Sequence, residues 1–218
     1  MPLSPPKARQ HLHTRKIDLK GYYRDDGLWD IEAHITDKKT YTYENQSRGL
    51  VASGHPVHDM SLRLSIDPGL VVREVEAVMD VQPYTICSDI VGNFQKLVGL
   101  KIGAGWNKRV REVVGNVEGC THLAELLGPI ATVAFQTLSG DHAQKLMGRD
   151  PGKKRDENTE RTPFMLNGCH TWSATSPVVK QLYPAFYTGT DAAGTDTEET
   201  AAEIVNLVDE NQTMHSKQ

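Results

Sequence analysis

From Met60 to Ile66 apolar and polar residues alternate without a break: Met60, Leu62, Leu64 and Ile66 against Ser61, Arg63 and Ser65. A side-chain period of two belongs to a β-strand with one buried face, because successive strand residues point to opposite sides of a sheet. Asp67-Pro68-Gly69 interrupts the run with residues suited to a tight turn. Proline presets φ there, and glycine tolerates positive φ. The return run sets Val71, Arg73, Val75, Ala77 and Met79 against Val72, Glu74, Glu76, Val78 and Asp80. The pattern predicts a β-hairpin whose two open ends lie side by side. His55 and His58 stand at one of those ends, and Cys87 follows a few residues beyond the other.

A third strand is predicted from Gly27 to Lys38, where Trp29, Ile31, Ala33 and Ile35 alternate with Asp30, Glu32, His34 and Thr36. After the hairpin the period changes. Ile86, Ile90, Val91, Phe94, Leu97 and Val98 recur at helical spacing, and Gly99 to Gly105 ends that stretch. Trp106, Val110, Val113 and Val114 predict a second helix. A third opens near Gly119-Cys120-Thr121 and carries Leu123, Leu126, Leu127, Ile130, Val133, Ala134 and Leu138, with Pro129 expected to kink or break it. The expected fold class is α+β: an antiparallel sheet of three or more strands, packed on one face by two or three helices, with a C-terminal extension.

The expected organisation is a polar arm over residues 1–14, a core over 15–147, a charged loop over 148–163, a further element over 164–187 packed on the core, and an acidic tail over 188–218. Thr195 with Glu198 can cap a short helix through Ile204 and Leu207 in that tail, a candidate partner or homodimer element. The tail's composition favours loose attachment. The net charge of −4 and dispersed basic residues argue against a nucleic-acid partner. No apolar run approaches the roughly 20 residues of a membrane helix, so no membrane partner is expected. Three widely spaced cysteines make no disulfide framework. With no signal-peptide pattern at the start, the expected compartment is the cytoplasm.

The first predicted helix leaves the hairpin end and the second returns, so Gly119-Cys120 is expected beside His58 and Cys87. His58, Cys87 and Cys120 form a candidate metal set, a thiolate and imidazole combination suited to zinc or iron; inert buried cysteines are the alternative. Cys120 and His122, two apart, fall on opposite sides of a regular helix and are not expected on one ion if both are helical. Without a metal, His58 beside Asp59 makes a candidate general base near neutral pH. Tyr84 and Trp106 are candidate walls for a substrate ring, and Arg48 is a candidate anchor for an anionic group. Cys169-His170 is a weaker candidate. Phosphate-loop, serine-hydrolase and kinase signatures are absent.

Four stretches in order resemble a bacterial family labelled domain of unknown function 2889. They are His13-Thr14-Arg15, Asp25-Asp26-Gly27-Leu28-Trp29-Asp30-Ile31-Glu32-Ala33, His58-Asp59-Met60-Ser61-Leu62-Arg63-Leu64 and Gly119-Cys120-Thr121-His122-Leu123. That resemblance implies a tie to aromatic-compound catabolism. Residues 54–137 also resemble the NifU-type scaffold for iron–sulfur assembly, with Cys87 and Cys120 at its second and third cysteine positions and Pro56 or Val57 where its first cysteine stands. The expected function is a small-molecule enzyme with a His/Cys-lined pocket, a lyase cleaving a carbon–carbon bond or decarboxylating an aromatic compound. His58 and Asp59 would be its catalytic pair. The alternative is a metal- or iron–sulfur-binding carrier without turnover.

Overall fold

The computed structural model describes residues 3–149, 162, 163 and 165–190. The chain divides into two compact units, Met1–Lys154 and Arg155–Gln218. In the first unit four long strands, β1 (His13–Tyr23), β2 (Trp29–Lys39), β5 (Pro56–Ile66) and β6 (Val72–Val81), form one sheet in the order β1-β2-β5-β6. Every pairing in it is antiparallel. A short hairpin of β3 (Tyr43–Asn45) and β4 (Gly49–Val51) interrupts the connection from β2 to β5. Asp67 closes the β5–β6 turn, its Oδ1 accepting the backbone N–H groups of Gly69 at 2.8 Å and Val71 at 3.0 Å. The predicted hairpin and third strand are both present.

The alternation that predicts β2 and β5 also decides their faces. Trp29, Ile31, Ala33 and Ile35 of β2 and Met60, Leu62, Leu64 and Ile66 of β5 are buried on one side. They meet Leu123, Leu126, Leu127, Ile130 and Ala134 of α2 (Thr121–Ser139) and Val110 and Val114 of α1 (Trp106–Val114) in a single core. A short α3 (Asp141–Leu146) follows α2.

Two elements differ from the sequence expectation, and in a third, α2, Pro129 causes no break. Strand β1 was expected to be partly arm, but it runs from His13 and adds a fourth strand at the sheet edge. Its inward positions include only Ile17 and Leu19 as aliphatic residues, so its apolar alternation is short. At the inward Gly21 the partner takes the space: a Cβ there would fall 2.1 Å from Thr137 Oγ1 of α2. The segment Thr85–Leu97, expected as an α-helix, is a 3-10 helix that buries only Phe94 and Leu97. Those two residues are three apart, the repeat that stacks in a three-residue turn. Helix α2 runs continuously through Pro129; the proline leaves the Glu125 carbonyl without its helical donor, and Glu125 lies on an exposed position.

The entry to α2 is tight. Gly119 is extended, and a Cβ on it would lie 2.0 Å from the Val114 carbonyl oxygen. Backbone cannot yield as a side-chain tip does, so Gly119→Ala is expected to cost about 2 kcal/mol by overpacking. Chemical denaturation checks this; an unchanged midpoint would mean the α1–α2 connection relaxes freely.

In the second unit α4 (Pro177–Leu182) is capped by Ser176, whose Oγ accepts from Val179 N at 3.1 Å. Cys169 and His170 lie in exposed turns before it. The Thr195–Leu207 helix expected in the tail lies outside the described residues. Among the described residues no helix is long and apolar enough to cross a membrane.

Candidate functional site

The inward face of the sheet is apolar along most of its length and turns ionisable at one end. On β2 the inward series Trp29, Ile31, Ala33, Ile35 ends in Asp37; on β5 the series Ile66, Leu64, Leu62, Met60 ends in His58. The sheet register makes Arg15, Asp37 and His58 one lateral row, Arg15 opposite Asp37 and Asp37 opposite His58. His13 lies two residues before Arg15 and shares its face. The N-terminus of α2 supplies His122 and Glu125 above this row.

Asp37 is the floor of the cluster and only 2% exposed. Its Oδ1 accepts from Arg15 Nε at 2.9 Å and lies 2.9 Å from His13 Nε2. Its Oδ2 accepts from Arg15 Nη2 at 2.8 Å and lies 3.0 Å from His58 Nδ1. The remaining Arg15 nitrogen, Nη1, reaches Glu125 Oε2 at 2.5 Å. His122 stacks on His58 with ring centroids 3.7 Å apart and brings its Nε2 to 3.9 Å from Asp37 Oδ2. Its other ring nitrogen, Nδ1, is 3.9 Å from the Cys120 sulfur. His13, Arg15 and Glu125, with the part-exposed His122, form the solvent-facing rim.

Burial alone would raise the Asp37 pKa; the Arg15 hydrogen bonds and charge, with the bond to His58, outweigh it and hold the carboxyl below its usual range. The two stacked imidazoles are pushed the other way. Burial and the neighbouring His122 lower the His58 pKa against the pull of Asp37. Burial and the Arg15 charge lower that of His122 against Asp37 and Glu125. Near neutral pH the four residues Arg15, Asp37, His58 and His122 are therefore one guanidinium, one ionised carboxylate and two neutral imidazoles with lone pairs.

Of the residues expected from sequence, His58 is in the cluster and Cys120 borders it through His122, so the α2 N-terminus does return to the hairpin end. Cys120 is the non-helical cap of α2, with φ −101° and ψ 128°, which is why it and His122 reach each other despite being two apart. Asp59 faces away from His58, as successive strand residues must. It lies on the opposite side of the sheet with its Oδ1 2.6 Å from His34 Nε2. Cys87 is not part of the group: the chain leaves the sheet from β6, on the far side of β5 from Asp37 and Arg15. Arg48 donates from Nη1 to the Pro56 carbonyl at 3.0 Å beside the β3–β4 turn. Tyr84 is 48% exposed, just before the 3-10 segment. Trp106 is buried, its indole N–H bonded to the Leu127 carbonyl at 2.9 Å. It borders a cleft of about 300 Å³ with Gly128, Thr132 and Phe135 that shares no residue with the Asp37 cluster.

The contrast between the two aspartates is measurable. The His34–Asp59 pair is exposed on a solvent face, so Asp59→Ala is expected to change stability by less than about 1 kcal/mol. A loss as large as that of a buried-site variant would show that the outer sheet face carries more than solvation.

A family model described as protein of unknown function (DUF2889) matches residues 13–136, more than half of the chain. The chain belongs to this family. The matched DUF2889 segment begins at His13 and ends within α2, so it contains the sheet and every member of the cluster. No curated protein and no solved structure gives a match.

Proposed function

We propose that the protein is a small-molecule enzyme working at the Asp37 cluster, with His58 as its general base. The observation that carries this reading is the bond of His58 Nδ1, at 3.0 Å, to a carboxylate 2% exposed. A carboxylate on Nδ1 sets the tautomer with the lone pair on Nε2, and it favours the imidazolium formed when that nitrogen takes a proton. Arg15 keeps Asp37 ionised in that role. The reaction class we assign is a lyase acting on an aromatic compound. In carbon–carbon cleavage of this kind the base removes a hydroxyl proton, the bond breaks as the carbonyl forms, and the carbanion is protonated in turn. An oriented imidazole beside a second one can supply both proton transfers. Asp37 takes the orienting role that the sequence suggested for Asp59, and Tyr84 and Trp106 lend no support as ring walls.

The test is turnover against a panel of aryl carboxylates and hydroxylated aryl compounds, with His58→Gln and Asp59→Asn compared. His58→Gln is expected to lose about 100-fold or more in kcat, the usual worth of a positioned base, while Asp59→Asn retains activity. Equal turnover by wild type and His58→Gln would overturn the reading.

A metal carrier is the second reading, favoured by the close donor atoms of Asp37, His58 and His122. It predicts a bound ion, zinc or iron, with no His58-dependent turnover. Its iron–sulfur form draws no support from the described residues, since the group of close donor atoms contains no cysteine.

A further inference from the structure

We propose that Asp37, His58 and His122 bind one divalent transition-metal ion, and that Arg15 competes with that ion for the Asp37 carboxylate. This develops the second, metal-binding reading of the Asp37 cluster and shares with the enzyme reading only its location. One donor atom from each of the three residues lies within 4.8 Å of the others. Donors around an ion at about 2.1 Å stand roughly 3–3.5 Å apart in tetrahedral or octahedral arrangements. The separations from Asp37 Oδ2, 3.0 Å to His58 Nδ1 and 3.9 Å to His122 Nε2, bracket that range, and ligation through Nδ1 shifts the His58 proton from that nitrogen to Nε2. To reach one ion the two rings, stacked 3.7 Å apart, have to swing out of the stack so that both lone pairs converge on it.

The alternative is an ion-pair hub in which Arg15 and His13 satisfy Asp37. Of the five close contacts to the carboxylate, these two residues supply three, His58 one and His122 one. Such a hub has no need of a second imidazole over Oδ2, yet His58 and His122 stack at 3.7 Å beside that oxygen. Two protonated rings at that distance would repel; two neutral ones present lone pairs that a dication satisfies together. Cys120, 3.9 Å from Nδ1 of His122, supports that ring from behind in the manner of an outer-shell partner. Arg15 also has somewhere to go. Its Nη1 is already on Glu125, so it can give up Oδ2 while keeping its Nε bond to Oδ1. Three protein donors leave coordination positions open toward the rim, as catalytic sites do.

The ligand class follows from the donors. Two imidazole nitrogens and one carboxylate oxygen suit Zn²⁺, Co²⁺ or Fe²⁺ and disfavour Mg²⁺ and Ca²⁺, which prefer oxygen. The experiment uses the full chain, stripped with a chelator and dialysed, then titrated with Co²⁺ by visible absorption and with Zn²⁺ by calorimetry. One equivalent of each is expected to bind, with no response to Mg²⁺ or Ca²⁺ at the same concentration. His58→Gln and His122→Gln are each expected to weaken binding by about ten-fold or more, as loss of a ligand does. Arg15→Gln is expected to tighten it several-fold by freeing the carboxylate. Cys87→Ser is expected to leave it unchanged. Circular dichroism of each variant confirms folding before titration. The assignment fails if wild type takes up no Co²⁺ or Zn²⁺ at millimolar concentration, if both histidine variants bind as wild type does, or if binding requires Cys87. Arg15→Gln binding no tighter than wild type would remove the competition. Turnover that depends on His58 in metal-free protein overturns the metal assignment and leaves the enzyme reading intact. A stoichiometric ion without such turnover does the reverse.

Discussion

Asp37→Ala is expected to lower the melting temperature by about 10 °C, corresponding to a loss of about 3 kcal/mol. The carboxylate is 2% exposed and faces hydrogen-bond donors from β1 and β5. Its removal leaves the Arg15 guanidinium and the His58 N–H facing a cavity with no acceptor. Solvent reaches the outer part of Arg15, whose side chain is 32% exposed, and this keeps the loss below that of a fully enclosed ion pair. Asp37→Asn is expected to fall close to the alanine variant, because an amide NH₂ turned toward either edge meets another donor. Thermal unfolding of both variants, beside Asp59→Ala, is the check. A shift under 2–3 °C for Asp37→Ala, or roughly 1 kcal/mol, would mean that water replaces the carboxylate and that the row is not a stabilising unit.

Acidification of chelator-stripped protein is expected to destabilise the first unit from about pH 6.5 downward, the ordinary titration point of histidine. His58 and His122 have depressed pKa values in the folded chain, held there by burial first and then, for His58, by the adjoining His122 ring as it takes up charge and, for His122, by the Arg15 guanidinium. Below pH 6.5 the unfolded chain binds protons at these rings that the folded chain refuses, so stability falls as pH falls. The slope approaches about 1.4 kcal/mol per pH unit for each proton withheld. Asp37 acts in a separate, more acidic window. Its pKa is lowered on folding, so its contribution is whole above about pH 4 and is lost as the pH drops through the lower folded value. Melting temperatures of wild type and the His58→Gln/His122→Gln double variant between pH 7.5 and 5 separate the two windows. The double variant is expected to be nearly flat where wild type declines. Parallel curves would show that the rings titrate normally.

The sheet was legible because β2 and β5 carry unambiguous alternation and the Asp67-Pro68-Gly69 turn is chemically explicit; β6 alternates only from Val75 onward, a register shift beside the turn putting Val72 inward in place of Val71 and Arg73. Strand β1 was not, since an edge strand with two aliphatic inward residues differs little from a polar arm. One member of the cluster was legible as well. His58 stands out beside the hairpin, and the return of α2 brings Cys120 to its border, whereas His122 was set apart from Cys120 on the expectation that both are helical. Asp37 was missed although a signal exists: counting by twos from Trp29 puts it at an inward position, where an acidic residue has to find a partner. The same count applied to Met60 puts His58 inward and Asp59 outward, which separates the adjacent pair that looked like a dyad. What alternation cannot supply is register. Only pairing of Arg15 with Asp37, and of Asp37 with His58, turns three inward polar residues on three strands into one row.

That row joins residues 13, 15, 37 and 58 to residue 122 on a helix more than sixty positions later in the chain. No local fragment contains the set. The β1–β2 hairpin holds His13, Arg15 and Asp37, β5 adds His58, and the last member arrives only when α2 docks on the sheet. Any ligand of the cluster therefore recognises the assembled sheet and helix together, and its binding free energy adds to the cooperative unfolding of the unit rather than to the order of one loop. At a hundred times its dissociation constant such a ligand would contribute about 2.7 kcal/mol to unfolding. Occupancy at this one corner then reports the folding of the entire first unit, and melting temperature becomes a direct screen for what the protein binds.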